Sequence, residues 1–185
     1  MFFENIEKNF YMPSKKLYAS RAGVIMRDYE NIDKTILKKL DEIYFKGLEL
    51  SEPRIYFKTF GIKEVELNLI PEVFDKNIKQ ITFFVSTLGE KIDNYISDEE
   101  NVLIAFFMDS WASEALESLN ENFDKYLKEK YDKKSTIRFS PGYPGLDIIY
   151  NYHILKFLNI NFVRSNEKTG ILIPRKSSVC ILGWY

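Results

Sequence analysis

The stretch Ile137-Arg138-Phe139-Ser140-Pro141-Gly142-Tyr143-Pro144 places a cation, a turn and an aromatic ring close together in the chain. Pro141 fixes its own φ and Gly142 lacks a Cβ, so the backbone can bend sharply and let a ligand come close. Arg138 offers a planar fork that matches a carboxylate, and Tyr143 offers a π-face and a hydroxyl. Because these two residues flank the bend, we expect them to face the same space. The alternative is an ordinary Pro-Gly surface turn between two elements.

The composition describes a chain with enough apolar residues for a core of its own. Of its 185 residues, 45% are hydrophobic and 16% aromatic, which suits one domain over residues 1–185. Lys and Arg number 26 against 27 Asp and Glu, and the net charge of −1 argues against nucleic acid or an anionic membrane as partner. The longest apolar run, residues 102–108, is too short to span a bilayer. The start lacks a basic segment typical of signal peptides, so we expect a cytoplasmic protein.

Several kinds of site are excluded by residues that the sequence lacks. One cysteine, Cys180, excludes a disulfide framework and any site of several cysteines. One histidine, His153, and one cysteine cannot together close a zinc site. The eight glycines form no G-x-G pair, so the phosphate loops of nucleotide-binding folds are absent.

The first part of the chain predicts an N-terminal arm followed by a helix. Residues 1–27 show no clear period, residues 1–30 are the predicted arm, and residues 18–27 fit either a strand or a docking segment. From about Asn31 the apolar residues recur at helical spacing, and Gly47 is the predicted end of that helix.

The middle of the chain predicts strands. Residues 54–60 are strand-like, and residues 65–70 alternate between apolar and polar side chains. Residues 81–86 form a nearly continuous run of β-formers, which predicts a central strand. Residues 87–90 follow with the spacing of a capping box and predict the start of a short helix.

The last part of the chain predicts the longest helix, then a shorter helix and three strands. A second capping box at residues 97–100 starts the long helix, which runs to about Lys130. Its first half is apolar nearly all round and is expected to be buried, with Asp109 inside it. The shorter helix covers residues 146–158. The predicted strands are residues 162–165, 170–174 and 178–184. The mixed order with short connections predicts an α+β fold, with helices packed on a mainly antiparallel twisted sheet.

The order of these segments gives the turn a wider context. The sequence Arg138-x-Ser-Pro-Gly-Tyr143-Pro144 resembles the Arg-x-x-Pro-Gly-Tyr-Pro segment of the activation domain of cobalamin-dependent methionine synthase. The strand–Thr-x-Gly–helix junction at residues 87–90 and the closing segment at residues 173–179 are also similar to that family. The resemblance covers about residues 80–185 in the right order, and the chain looks like a compact, free-standing version of the domain.

The resemblance implies a binding site for S-adenosylmethionine, in which no residue of this chain acts as acid or base. Arg138 would hold the carboxylate of the ligand, a charge-assisted contact. Tyr143 would place its ring near the sulfonium or the adenine. Glu114 or Glu117 would meet the ammonium. Ser140, Pro141 and Gly142 would complete the site with Gly145.

The resemblance also implies how the ligand is used. In the family the bound ligand donates a methyl group to cobalamin that has been oxidised to its inactive state and then reduced by one electron. The Asp-x-His-x-x-Gly segment with which many cobalamin-binding domains hold cobalt is missing here. The cobalamin would therefore arrive on a partner, either methionine synthase itself or a related corrinoid protein.

Two departures from the family leave alternatives open. The acid of the family's long helix falls on Ser113 when the sequences are aligned without gaps, and a later tyrosine of the family has no counterpart. One alternative is therefore a non-catalytic module that docks on a corrinoid methyltransferase without binding S-adenosylmethionine. The other is an unrelated α+β domain whose Pro-Gly turn has no such role.

Overall fold

The computed structural model describes residues 1–24 and 32–185. Within them the helices are α1 (Lys8–Tyr11), α2 (Lys15–Arg21), α3 (Lys34–Leu50), α4 (Glu90–Asp98), α5 (Val102–Tyr131) and α6 (Tyr150–Leu158). The strands are β1 (Phe2–Phe3), β2 (Arg54–Gly61), β3 (Gln80–Thr87), β4 (Arg164–Ser165), β5 (Leu172–Ile173) and β6 (Ser177–Trp184).

The predicted α+β fold with an antiparallel sheet is confirmed. Four strands form the main sheet in the order β1-β2-β3-β6, and every neighbouring pair is antiparallel. The central position predicted for residues 81–86 is also confirmed, because β3 pairs along its whole length with both β2 and β6. Strands β4 and β5 form a separate antiparallel pair.

Hydrophobic cores lie on both faces of the sheet. Side chains of one face, such as Phe84 and Leu182, pack under helices α1 to α5. Side chains of the other face, such as Phe83 and Ile181, pack against α6 and the loops before it. Because successive residues of a strand point to opposite faces, β3 and β6 need apolar residues at nearly every position. This is why both strands read as continuous apolar runs.

Helix α5, with 30 residues, is the longest of the described elements. Its N-cap is Asn101, whose side chain accepts hydrogen bonds from the backbone N–H groups of Leu103 and Ile104. The capping box predicted at residues 97–100 is therefore wrong, and residues 97 and 98 belong to α4. The expected burial of the first half is also wrong in part, because Val102, Leu103 and Phe106 are exposed large apolar residues.

The other predicted capping box is wrong too. Helix α4 has Gly89 at its N-cap, with no side-chain cap. The hydroxyl of Thr87 accepts a hydrogen bond from the N–H of Gly89 at 3.1 Å, before the helix begins.

The helix predicted after the N-terminal arm corresponds to α3, and its predicted end at Gly47 is wrong. Helix α3 continues to Leu50, while its predicted start at Asn31 lies outside the described residues. A Cβ at Gly47 would lie only 2.4 Å from ring atoms of Trp111 in α5. The glycine therefore allows the two helices to approach closely rather than ending one of them.

The alternating residues 65–70 form no strand. One 3₁₀ turn, Ile62–Glu64, precedes this segment, and a second, Leu67–Leu69, lies within it. Leu67 is 86% exposed. The shorter helix predicted at residues 146–158 begins only at Tyr150.

The N-terminal residues are part of the core. Residues 18–21 are helical rather than a strand, and residues 25–27 of that prediction lie outside the described residues. Tyr11 and Tyr18 are buried in the core under the helices. The side-chain amide of Asn122 in α5 donates to the carbonyl of Phe10 at 2.9 Å. Helix α1 is thus hydrogen-bonded to α5.

Among the described residues, each helix is either too short or too polar to traverse a lipid bilayer.

Candidate functional site

The residues before the Pro-Gly turn lie along the outer edge of β6. Phe139 and Ile181 exchange two backbone hydrogen bonds, of 3.0 and 2.8 Å, and a second antiparallel bridge joins Ser135 to Trp184. The side chain of Phe139 belongs to the core on the α6 face. Because side chains alternate along an extended segment, Arg138 and Ser140 point to the other face, towards α5.

Arg138 forms an ion pair with Glu117 of α5. Its Nη2 donates to Oε1 of Glu117, so the structure brings these two predicted site residues into contact. The Arg138 side chain is only 19% exposed, whereas that of Glu117 is 56% exposed. The guanidinium is therefore held in place by the protein, and its carboxylate partner faces solvent.

The field of Arg138 extends further along α5. Lys125 chiefly holds the pKa of Glu121 below its usual value, and Arg138 contributes to the same shift. Lys125 pairs with Glu121 at 2.9 Å and Lys128 with Asp124 at 2.7 Å. These two acids already have their own cations, so Glu117 is the acid that pairs with Arg138.

Glu114, the other glutamate proposed from sequence, lies elsewhere. Its Oε1 accepts from Nε of Arg21 in α2 at 2.6 Å, and its side chain is only 13% exposed. The structure thus brings Glu117, and not Glu114, to Arg138.

Cys180 of β6 lies beneath the segment that carries Arg138. The Ser140 hydroxyl donates to its Sγ at 3.6 Å, and the Ser178 hydroxyl lies 3.2 Å from it. Burial raises the pKa of the Cys180 thiol, and the opposing effects of Arg138 and the two hydroxyls are smaller. The thiol is therefore protonated at neutral pH and is a poor nucleophile there.

One charged residue near this site, Lys176, was not predicted as a site residue from the sequence. Lys176, directly before β6, is buried; its Nζ lies 2.8 Å from Oδ1 of Asp109 and donates to the Ser113 hydroxyl at 2.9 Å. The family's acid falls on Ser113, and that position here contacts a cation. Only its place in the segment 173–179 pointed to Lys176.

The turn itself faces a different surface. Pro141 is buried, and Gly142 has φ of 98°, in the left-handed region that glycine tolerates best. The ring of Tyr143 is 56% exposed and packs edge-on against Phe139, with 5.6 Å between the ring centres. Gly142 and Tyr143 line an open cleft of about 970 Å³ with Gly145 and residues of the 67–72 segment.

The structure therefore separates two groups of predicted site residues. Arg138, Ser140 and Glu117 lie on the α5 side, while Gly142 and Tyr143 line the cleft, whose lining does not include Arg138. The expectation that Arg138 and Tyr143 face one space is not met.

No known family model matches this sequence, and no curated protein matches it either. Among solved structures, the chain is similar to the MetH reactivation domain, in a crystal structure bound to AdoHcy. The TM-score is 0.66 at 14% sequence identity, and the match covers 94% of this chain and 74% of the other. The chain thus has the fold of a methionine synthase reactivation domain, as its sequence predicted.

Proposed function

We propose that this chain binds S-adenosylmethionine in the cytoplasm and presents its methyl group for the reductive remethylation of cobalamin on a partner protein. It would thus be a reactivation component of cobalamin-dependent methionine synthase. The observation that carries the proposal is the ion pair between Arg138, at the predicted turn, and Glu117, on the long helix. The fold supports it, because the similar MetH domain binds AdoHcy.

The Arg138–Glu117 pair suits the headgroup of an α-amino acid. Such a headgroup carries one carboxylate and one ammonium, so it can replace the pair while every charge keeps a partner. Because Glu117 faces solvent, it can be hydrated when the pair opens, and the ligand carboxylate takes its place at Arg138. Because Arg138 is already held in place, little further ordering opposes binding.

The remaining residues are assigned to the rest of the ligand. Ser140 and Pro141 follow Arg138 in the chain and are assigned to the part of the ligand next to the headgroup. Gly142 and Tyr143 lie on the cleft side, so an aromatic or cation–π contact of Tyr143 requires the ligand to reach around the turn. The bound ligand supplies an electrophilic methyl group. The protonated Cys180 thiol does not compete for that group, so the contribution of the chain is to hold and orient.

A second candidate function is docking without S-adenosylmethionine. The observation that favours it is that Ser113, where the family has its acid, contacts a cation, Lys176. In this case the chain would bind a corrinoid methyltransferase but would show no affinity for S-adenosylmethionine in a calorimetric titration.

Glu114 and Glu117 of α5 are expected to respond differently to substitution. Glu117→Gln should weaken S-adenosylmethionine binding about tenfold, because a charge-assisted contact to the ammonium is lost. Glu114→Gln is the matched control, with the same change at the glutamate paired with Arg21. It should bind like the unchanged protein in isothermal titration calorimetry. A larger loss from the Glu114 variant would instead move the ammonium contact to Glu114.

The proposed function is tested with a cobalamin-loaded methionine synthase that lacks its own activation domain. Formation of methylcobalamin, followed by absorbance, should require this chain, S-adenosylmethionine and a one-electron reductant together. Each component is omitted in turn as a control. Formation at the same rate without this chain would rule out a role in reactivation, and full activity of the Arg138→Ala variant would leave only docking.

A further inference from the structure

Lys176 is a buried cation fixed by three contacts to one stretch of α5. Its Nζ lies 2.8 Å from Oδ1 of Asp109, and it donates to the Asp109 carbonyl at 3.2 Å and to the Ser113 hydroxyl at 2.9 Å. Its side chain is 11% exposed, whereas that of Asp109 is 46% exposed. The ammonium is thus buried, while its carboxylate partner is partly exposed to solvent.

The contacts of Lys176 lie one helical turn from the Arg138–Glu117 pair. Ser113 and Glu117 are four residues apart in α5, and side chains at this spacing are neighbours, with about 5–6 Å between their Cβ atoms. Lys176 contacts the first of them and Arg138 contacts the second.

The direction of the chain brings the residues that follow Arg138 to the end of β6 at which Lys176 lies. Residues 135–139 run antiparallel to β6, since Ser135 pairs with Trp184 and Phe139 with Ile181. Moving from Arg138 towards the turn is therefore moving towards the start of β6, where Lys176 lies. A ligand with its headgroup at Arg138 that continues past Ser140 on the α5 side therefore extends towards this ammonium.

We infer that Lys176 is a specificity residue that makes this site favour a neutral thioether ligand over the corresponding sulfonium. The inference rests on the proposed function. The sulfur of S-adenosylmethionine lies three bonds beyond its α-carbon and carries a positive charge, which Lys176 repels. S-Adenosylhomocysteine has the same headgroup and base but an uncharged sulfur. Asp109 offsets part of the repulsion, because its carboxylate pairs with the same ammonium.

This preference acts on the charge that changes in methyl donation. When the methyl group passes to a nucleophile, the electron pair of the broken C–S bond stays on sulfur, which becomes neutral. A fixed cation near the sulfur therefore disfavours the methylated ligand and favours the demethylated one. The role assigned to Lys176 is thus electrostatic: its charge distinguishes the two ligands.

The test compares the affinities of the two ligands in the same protein. Dissociation constants for S-adenosylmethionine and S-adenosylhomocysteine are measured by calorimetry for the unchanged chain, for Lys176→Met and for Lys176→Arg. Met keeps most of the apolar stem without the charge, and Arg keeps the charge. The preference for the thioether should fall about three- to tenfold in the Met variant and remain in the Arg variant.

A second variant tests the effect of the Lys176 charge by removing the carboxylate that partly neutralises it. Asp109→Asn removes the carboxylate that offsets Lys176 and keeps a polar side chain beside the ammonium, which retains the Asp109 carbonyl and the Ser113 hydroxyl as acceptors. The melting temperature of the variant checks that the fold is kept. The thioether preference should then increase, opposite to the effect of Lys176→Met. This variant decides the matter if Lys176→Met does not fold.

The outcomes separate the inference from the proposed function. An unchanged ratio in both variants would overturn the role of Lys176, as would equal changes in the Met and Arg variants. Failure of the unchanged chain to bind either ligand would overturn the proposed function itself. Opposite shifts in the Met and Asn variants would support the inference.

Discussion

Arg138→Ala is expected to weaken S-adenosylmethionine binding about tenfold to hundredfold while the fold is kept. The variant loses a charge-assisted contact to the ligand carboxylate, which is worth about 1.5–3 kcal/mol. Glu117, the partner left behind, is more than half exposed and can be hydrated, so little stability is lost through it. Binding is measured by calorimetry, and the fold by the melting temperature and circular dichroism.

Arg21→Ala is the matched control for this prediction. Arg21 also pairs with a glutamate of α5, but with Glu114, away from the turn. Its loss should leave the affinity unchanged. If Arg138→Ala bound as tightly as the unchanged chain, the assignment of Arg138 to the ligand carboxylate would be wrong.

Gly170→Ala is expected to lower the free energy of unfolding by about 2–5 kcal/mol. Gly170 has φ of 69°, which costs a residue with a Cβ about 1–2 kcal/mol. The added Cβ would also lie 2.1 Å from the carbonyl oxygen of Ile148, and relieving such overpacking costs about 1–3 kcal/mol. Because the obstacle is backbone, no side-chain rotation removes it. Denaturation with urea measures the change.

Gly23→Ala separates the two costs. Gly23 has φ of 78°, but a Cβ there would meet none of the residues that the structure describes within 4 Å. This variant should show only the backbone cost, about 1–2 kcal/mol. Equal destabilisation by the two variants would mean that the chain near Ile148 moves aside freely.

The elements that sequence predicted best are those whose pattern reflects burial. Strand β3 lies between two cores, so its apolar residues are continuous, and α5 is long enough for its stripe to stand out. Helix starts were predicted less well. Several cap-forming residues precede α5, and only the structure shows that Asn101 accepts from the first turn.

The segment 65–70 shows where a pattern alone is insufficient. Its alternation fits a strand, but the segment pairs with none of the strands among the described residues. Val65 and Leu69 instead enter the core from 3₁₀ turns, while Leu67 stays exposed. Period-two spacing can thus arise from turns as well as strands.

The candidate site was predictable at its turn but not in its charge pairing. Arg138 stands out beside a Pro-Gly turn, whereas its partner could be chosen only among several acids on α5. The other predicted acid, Glu114, pairs instead with Arg21, which is 93 positions away in the sequence. Such pairings depend on how the helices cross the sheet, which a single sequence does not specify.

The attachment of residues 135–139 to β6 bears on how this surface can be redesigned. An uncovered strand edge is a template for pairing with other molecules, and here the segment that carries Arg138 protects the outer edge of β6. At Phe139 it is held by main-chain hydrogen bonds, which any residue except proline can make. Side chains facing α5 can therefore be exchanged without exposing the sheet. A library varied at residues 138 and 140 should keep its solubility while its ligand preference changes.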